Sequence, residues 1–175
     1  ALMMHVVYPD LHVERTCLEP ACGEGHMAEP LKEYFSEVTA SDVNDFGYGA
    51  VSDFLLLKQH PNASFDWVIT NPPFVLGQEF ILRALPITRR GVAMLLRTQF
   101  VEGLDRLTTL FGPHPPAFVA QFAERVPMFE GKVKEKGSTA TAYAWFVWSK
   151  APVEFTQLMW IPPCRKALER PDDYE

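Results

Sequence analysis

The sequence predicts an α/β fold: a mainly parallel sheet with helices on both faces and an antiparallel hairpin toward the C-terminal end. Two observations in the first hundred residues carry this. Short β-like runs alternate with stretches of helical spacing, and those runs are apolar at nearly every position, as strands covered on both faces must be. The third observation is a change of character in the last third, where strand-like segments are joined by a polar, lysine- and glycine-rich connection. Parallel neighbours in such a sheet require right-handed crossovers.

The elements follow in chain order. The opening "ALMMHVVY" is apolar but lacks the basic start and small-residue cleavage site of a secretory signal. It reads as the end of a helix that begins outside this chain. A strand is expected at 16–19, a helix near 27–35 and a second strand at 38–42. A short, weak strand near Val51 precedes a third clear strand at 65–70. The next helix, near 78–85, carries Phe80, Ile81, Ala84 and Leu85 at helical spacing. A fourth clear strand covers 91–96. Two helical stretches, 103–111 and 117–125, then bracket "GPHPP". Segments 126–129 and 141–148, joined by "EGKVKEKGSTA", are expected to form the antiparallel hairpin. A further strand is expected at 155–161, and "KALERPDDYE" reads as a solvated tail.

Composition narrows the function classes. A chain of 175 residues, 47% apolar and 22% charged, has room for a single domain, 1–175, with a proper core. No apolar run approaches the roughly 18 residues that cross a bilayer, so no membrane partner is expected. Cys17, Cys22 and Cys164 are odd in number and two lie in or beside strand positions. A disulfide framework is therefore not expected, and a reducing, cytoplasmic setting is. No Cys/His group has metal-ligand spacing. The net charge of -6 argues against a surface that embraces nucleic acid everywhere, while leaving room for a local basic loop.

The candidate chemistry lies at strand ends. "FDWVITNPPF" is a greasy strand that stops at Asn71-Pro72-Pro73-Phe74, a rigid group presenting one amide and one ring. Prolines also end strands without any functional purpose. After the first strand comes "LEPACGEGHM", in which Glu19, Gly23 and Gly25 form an acid-x-x-x-Gly-x-Gly turn where missing side chains let backbone approach a ligand. A dinucleotide fingerprint wants a third small residue at position 28, and Ala28 satisfies it. Glu19 suits a pyrophosphate poorly and an ammonium group well. Asp42 ends the second strand, where a carboxylate can accept from two ribose hydroxyls. Asp53 and Phe54 follow in "VSDFL", an acid for an adenine amino group and a ring to flank the base. The same pair also reads as a helix cap followed by a core residue.

Together these residues resemble the class I S-adenosylmethionine-dependent methyltransferases, and among them the N6-adenine DNA methyltransferases of compact phage type. "LEPACGEGHM" is similar to their cofactor motif, "SDVN" to their ribose acid, "SDFL" to their adenine acid and "NPPF" to their catalytic motif. Order and spacing agree over roughly residues 15–100, and "AYAWFVWSK" resembles their late antiparallel strand. The resemblance implies a Rossmann-like, seven-stranded sheet and S-adenosylmethionine as cofactor. It implies cofactor-binding roles for Glu19, Pro20, Ala21, Cys22, Gly23, Gly25, Asp42, Val43, Asp53, Phe54 and Asn71, and a catalytic role for Asn71, Pro72, Pro73 and Phe74. Phe74 is expected to stack on the target base, with Phe129 as a second stacking aromatic.

The family's upstream segment, which helps to cover the cofactor, would precede Ala1, and the chain has no room for a separate target-recognition domain. Recognition would then fall to the 101–118 loop and to "GKVKEKGST", whose Lys132, Lys134 and Lys136 can meet phosphates. The expected partner is nucleic acid, DNA ahead of RNA. The competing substrates are an adenine N6 or guanine N2 in RNA and a protein glutamine amide, all planar conjugated amines. A non-catalytic cofactor-binding subunit is the alternative from another class. None of the motifs encodes an oligomeric state or a recognition sequence.

Overall fold

A computed structural model describes residues 1–7, 15–56, 64–126 and 141–170. Eight strands form one sheet in the order β3-β2-β1-β4-β5-β7-β6-β8. They are β1 Thr16–Glu19, β2 Glu37–Asp42, β3 Ala50–Val51, β4 Phe65–Thr70, β5 Thr88–Arg97, β6 Phe118–Phe122, β7 Tyr143–Ser149 and β8 Gln157–Ile161. The first five pair in parallel, β7 is antiparallel to both β5 and β6, and β8 is parallel to β6. Only β7 therefore runs against the rest. The sheet has eight strands where the resemblance implied seven, and the edge strand β8 is the one expected at 155–161.

Alternation along the central strands divides the core into two faces. Cys17, Trp67, Ile69, Ala93, Leu95 and Trp145 point to one face, where Leu31 and Phe35 cover them. Leu18, Val68, Val92, Met94 and Phe146 point to the other, against helix α2. The short helix α1 (Ala28–Leu31) belongs to the first face, and α2 (Gly77–Ile87) buries Phe80, Ile81, Ala84 and Ile87 in the second. The helical turn at Met3–Val7 also packs on the first face through Leu2, Met3 and Val7. Helix α3 (Leu104–Arg106) runs on as a wider helical turn over Leu107–Phe111, and the short α4 (Arg165–Leu168) lies within the expected tail.

The helix expected near 27–35 is shorter, four residues at Ala28–Leu31 followed by turns to Tyr34, and another expectation fails outright. Residues 117–125 do not form a helix: Phe118–Phe122 is a strand between β7 and β8. Phe118 and Val119 with Phe122 fit helical spacing, but Phe118, Ala120 and Phe122 fit a period of two equally well. Pairing decides between them, because Val119 and Ala120 stand opposite Phe146 and Trp145 of β7. The antiparallel hairpin exists, with β6 as its first arm. The arm expected at 126–129 lies, apart from Val126, outside the described residues. Among the described residues no helix is long and apolar enough to cross a membrane.

Candidate functional site

The carboxyl ends of β1, β2, β4 and β5 face one another in the order the sheet imposes. β1 ends on Glu19, β2 on Asp42, β4 on Thr70 immediately before Asn71, and β5 on Arg97. In an open α/β sheet that edge is where a ligand crevice forms. A cavity of about 730 Å³ opens there, within the usual range of roughly 300–1,000 Å³ for small-molecule sites.

The glycine turn forms one wall. The Gly25 N–H donates to the Cys22 carbonyl at 2.8 Å and the Glu29 N–H to the Gly25 carbonyl at 2.9 Å, closing a tight strand-to-helix turn. Gly23 and Gly25 both have positive φ, 52° and 90°, a region that favours residues without a Cβ. Their reasons differ. A Cβ on Gly23, which lines the cavity, would meet nothing within 4 Å. A Cβ on Gly25 would lie 2.5 Å from the Tyr48 ring. The second glycine therefore accommodates a neighbouring aromatic rather than lining the cavity. Tyr48 is held there by its hydroxyl, which donates to Glu29 at 2.6 Å.

Asp42 and Asp53 both line the cavity. Asp42 accepts from the Gly23 N–H through Oδ2 and from the Asn44 N–H through Oδ1, each at 3.0 Å. One carboxylate thus fixes both the glycine turn and the turn after β2. Asp53 Oδ1 accepts the Leu55 and Leu56 N–H groups at 2.9 and 3.3 Å, the capping geometry that its sequence context also allowed. Phe54 lines the cavity although it is only 2% exposed, its ring centroid lying 5.2 Å from that of Phe80. Pro20, Ala21 and Val43 complete this side.

Glu19 does not line the cavity and is fully buried. The Thr70 hydroxyl donates to its Oε1 at 2.8 Å, and Oε2 is buried with no hydrogen-bond partner among the described residues. Burial pushes the carboxyl up to about 8, and the nearby Asp42 charge adds to the rise, while the Thr70 hydroxyl and the Asn71 N–H oppose it. At neutral pH Glu19 is therefore mostly protonated. It links the end of β1 to the residue just before Asn71. Cys22 is buried outside the lining, its N–H donating to the Ser41 carbonyl at 3.0 Å.

Asn71, Pro72, Pro73 and Phe74 all line the same cavity. Asn71 is exposed and Pro72 buried. The Pro73 carbonyl accepts the Leu76 N–H at 2.8 Å as the chain turns toward α2. Phe74 packs 5.6 Å from the Tyr143 ring, and the Arg97 guanidinium lies 4.9 Å from the Phe74 centroid. Phe129, Lys132, Lys134 and Lys136 lie outside the described residues.

Sequence reasoning missed several lining residues, chiefly Phe46, Leu76, Arg97 and Tyr143. Arg97 and Tyr143 are paired across β5 and β7 but lie 46 residues apart in the chain. No local pattern connects them to Asn71.

No family model matches the sequence, and neither does any curated protein. Solved structures do match. A predicted O-methyltransferase from Agrobacterium tumefaciens aligns with a TM-score of 0.58 at 14% identity, over 89% of this chain and 82% of the other. A modification subunit of a putative type I restriction enzyme from Vibrio vulnificus aligns with 0.58 at 12%, over 85% of this chain and 42% of that one. The 1,6-didemethyltoxoflavin-N1-methyltransferase of Burkholderia thailandensis, solved with S-adenosylhomocysteine, aligns with 0.54 at 13%, over 79% and 72%. At these identities the likeness shows the fold: the chain has the Rossmann-like fold of these methyltransferases.

Proposed function

We propose that this chain is an S-adenosylmethionine-dependent methyltransferase acting on the exocyclic amine of a nucleobase, adenine N6 in DNA. The observation that carries the reading is that Asn71-Pro72-Pro73-Phe74 and the carboxylates Asp42 and Asp53 line one cavity at the carboxyl edge of the sheet. The donor set supports a nucleoside cofactor. Asp42 and Asp53 can accept from hydroxyl and amino groups, and Phe46, Phe54 and Leu55 offer apolar walls to a purine.

When bound, S-adenosylmethionine supplies a methyl group made electrophilic by the sulfonium. The residues of this chain prepare the other reactant. An adenine amine is a weak nucleophile because its lone pair is delocalised into the ring. Asn71 Oδ1 and the Pro72 carbonyl each accept one N–H, drawing the nitrogen toward tetrahedral geometry and freeing the lone pair. Two acceptors fixed by prolines need no reorganisation during the reaction. Holding amine and methyl donor in one cavity supplies much of the remaining rate. Phe74 stacks on the base, which must leave the helix to reach the site. Glu19 and Thr70 act through position, joining the strand ends on which the glycine turn and Asn71 are mounted.

The test is to incubate the protein with methyl-labelled cofactor and DNA, RNA or protein, then identify the modified product by mass spectrometry. Label on adenine N6 of DNA is expected. Label confined to RNA moves the substrate to that polymer, and label on glutamine removes the nucleobase reading. Asn71→Ala is expected to lower turnover by at least about a hundredfold while S-adenosylhomocysteine still binds. Unchanged turnover would overturn the mechanism.

A further inference from the structure

Among the described residues Arg97 is the one basic residue lining the cavity, and the proposed mechanism does not use it. It ends β5, is exposed, and stands opposite Tyr143 in the β5–β7 register. Its guanidinium lies 4.9 Å from the centroid of Phe74, the ring assigned to the target base. Among the described residues no carboxylate pairs with it. An arginine resting on an aromatic face keeps its planar N–H fork directed outward, in the geometry that suits a phosphate.

Its place in the sheet separates it from the acids. Asp42 ends β2 and Arg97 ends β5, three strands further along the order β2-β1-β4-β5, or roughly 14 Å at the usual strand spacing. Asn71 follows β4, between them. The cavity is thus acidic on the proposed cofactor side and basic where the substrate enters. In a chain of net charge -6, an arginine that no acid among the described residues neutralises at the substrate side calls for an anion brought by the substrate. A nucleotide carries a phosphate on each side of its sugar; a glutamine side chain carries none.

We propose that Arg97 is a specificity-determining residue that receives the phosphate beside the target nucleotide while Phe74 receives its base. In the free protein the guanidinium covers the Phe74 ring, and the incoming nucleotide draws it onto the phosphate. This rests on the nucleobase reading above and adds the feature by which the site tells a nucleotide from an amide side chain.

The experiment measures binding of a short, fluorescently labelled, single-stranded, adenine-containing DNA with S-adenosylhomocysteine present, across a range of salt concentrations. Wild type, R97Q and R97K are compared. R97Q is expected to bind about tenfold more weakly, with the slope of log K against log salt reduced by roughly 0.7. R97K keeps the charge and loses the fork, so it retains the slope at intermediate affinity. Calorimetry is expected to give the same S-adenosylhomocysteine affinity for all three. An unchanged salt slope in R97Q overturns the assignment, as does loss of S-adenosylhomocysteine binding in that variant. If the wild type neither binds nor methylates DNA or RNA, the nucleobase reading itself fails; if it does both and R97Q matches it, only the Arg97 assignment fails.

Discussion

A carboxyl group under full burial is better kept neutral, and Glu19 is such a group. Its ordinary value of 4.5 rises to about 8 in the folded protein. Between those values the folded chain holds a proton that the unfolded chain has lost. Stability therefore falls as pH rises from about 4.5 to about 8, and the loss is complete above that. Thermal unfolding of Glu19→Gln is expected to lack this slope over that window; a wild-type pH profile in the variant would count against the buried neutral carboxyl. The two glycines of the turn make a second prediction at this scale. Gly25→Ala combines positive φ with a Cβ 2.5 Å from Tyr48 and is expected to cost about 3 kcal/mol. Gly23→Ala meets open space and is expected to cost about 1 kcal/mol. Denaturant midpoints of the two variants check the order. The glycine spacing was legible in the sequence, whereas Tyr48 as the reason for Gly25 was not, since 23 residues separate them.

At the scale of elements, the strand starts are tied by one side chain. Asp66 of β4 accepts from the Thr16 N–H of β1 at 2.9 Å and from the Arg89 guanidinium of β5 at 3.0 Å. The Arg89 hydrogen bond holds the Asp66 carboxyl below its ordinary value of 3.8. Its contribution is present above that value and is lost as pH falls through the lower, folded one. Asp66→Asn is expected to destabilise the fold by about 2 kcal/mol at neutral pH and to weaken its acid sensitivity, measured by urea titration at neutral and acidic pH. The strands themselves were legible wherever both faces are covered: β1 and β4 match the expected 16–19 and 65–70. Phe118–Phe122 was not, because its apolar residues satisfy both periods and only the presence of β7 and β8 selects the strand.

The whole molecule sorts its chemistry across the sheet, with acids at the β2 and β3 side, the Asn-Pro-Pro-Phe group at β4 and a cation at β5. That separation predicts separable defects. Asp42→Ala is expected to weaken S-adenosylmethionine binding by about tenfold, or ~1.4 kcal/mol, as calorimetry would record. Asn71→Ala should spare that binding and remove turnover. Wild-type affinity in Asp42→Ala would take this carboxylate out of the site.

The sequence by itself determined the βαβ rhythm, the glycine turn, the acids at strand ends and the Asn71–Phe74 group, because each is written in local spacing and in apolar runs buried on both sides. Tertiary structure decided the rest. It placed Phe118–Phe122 in the sheet and set Glu19 under full burial. It also brought Arg97 and Tyr143 against Phe74. Those three outcomes depend on which distant segments pair, and pairing is a property of the assembled sheet rather than of any stretch of chain.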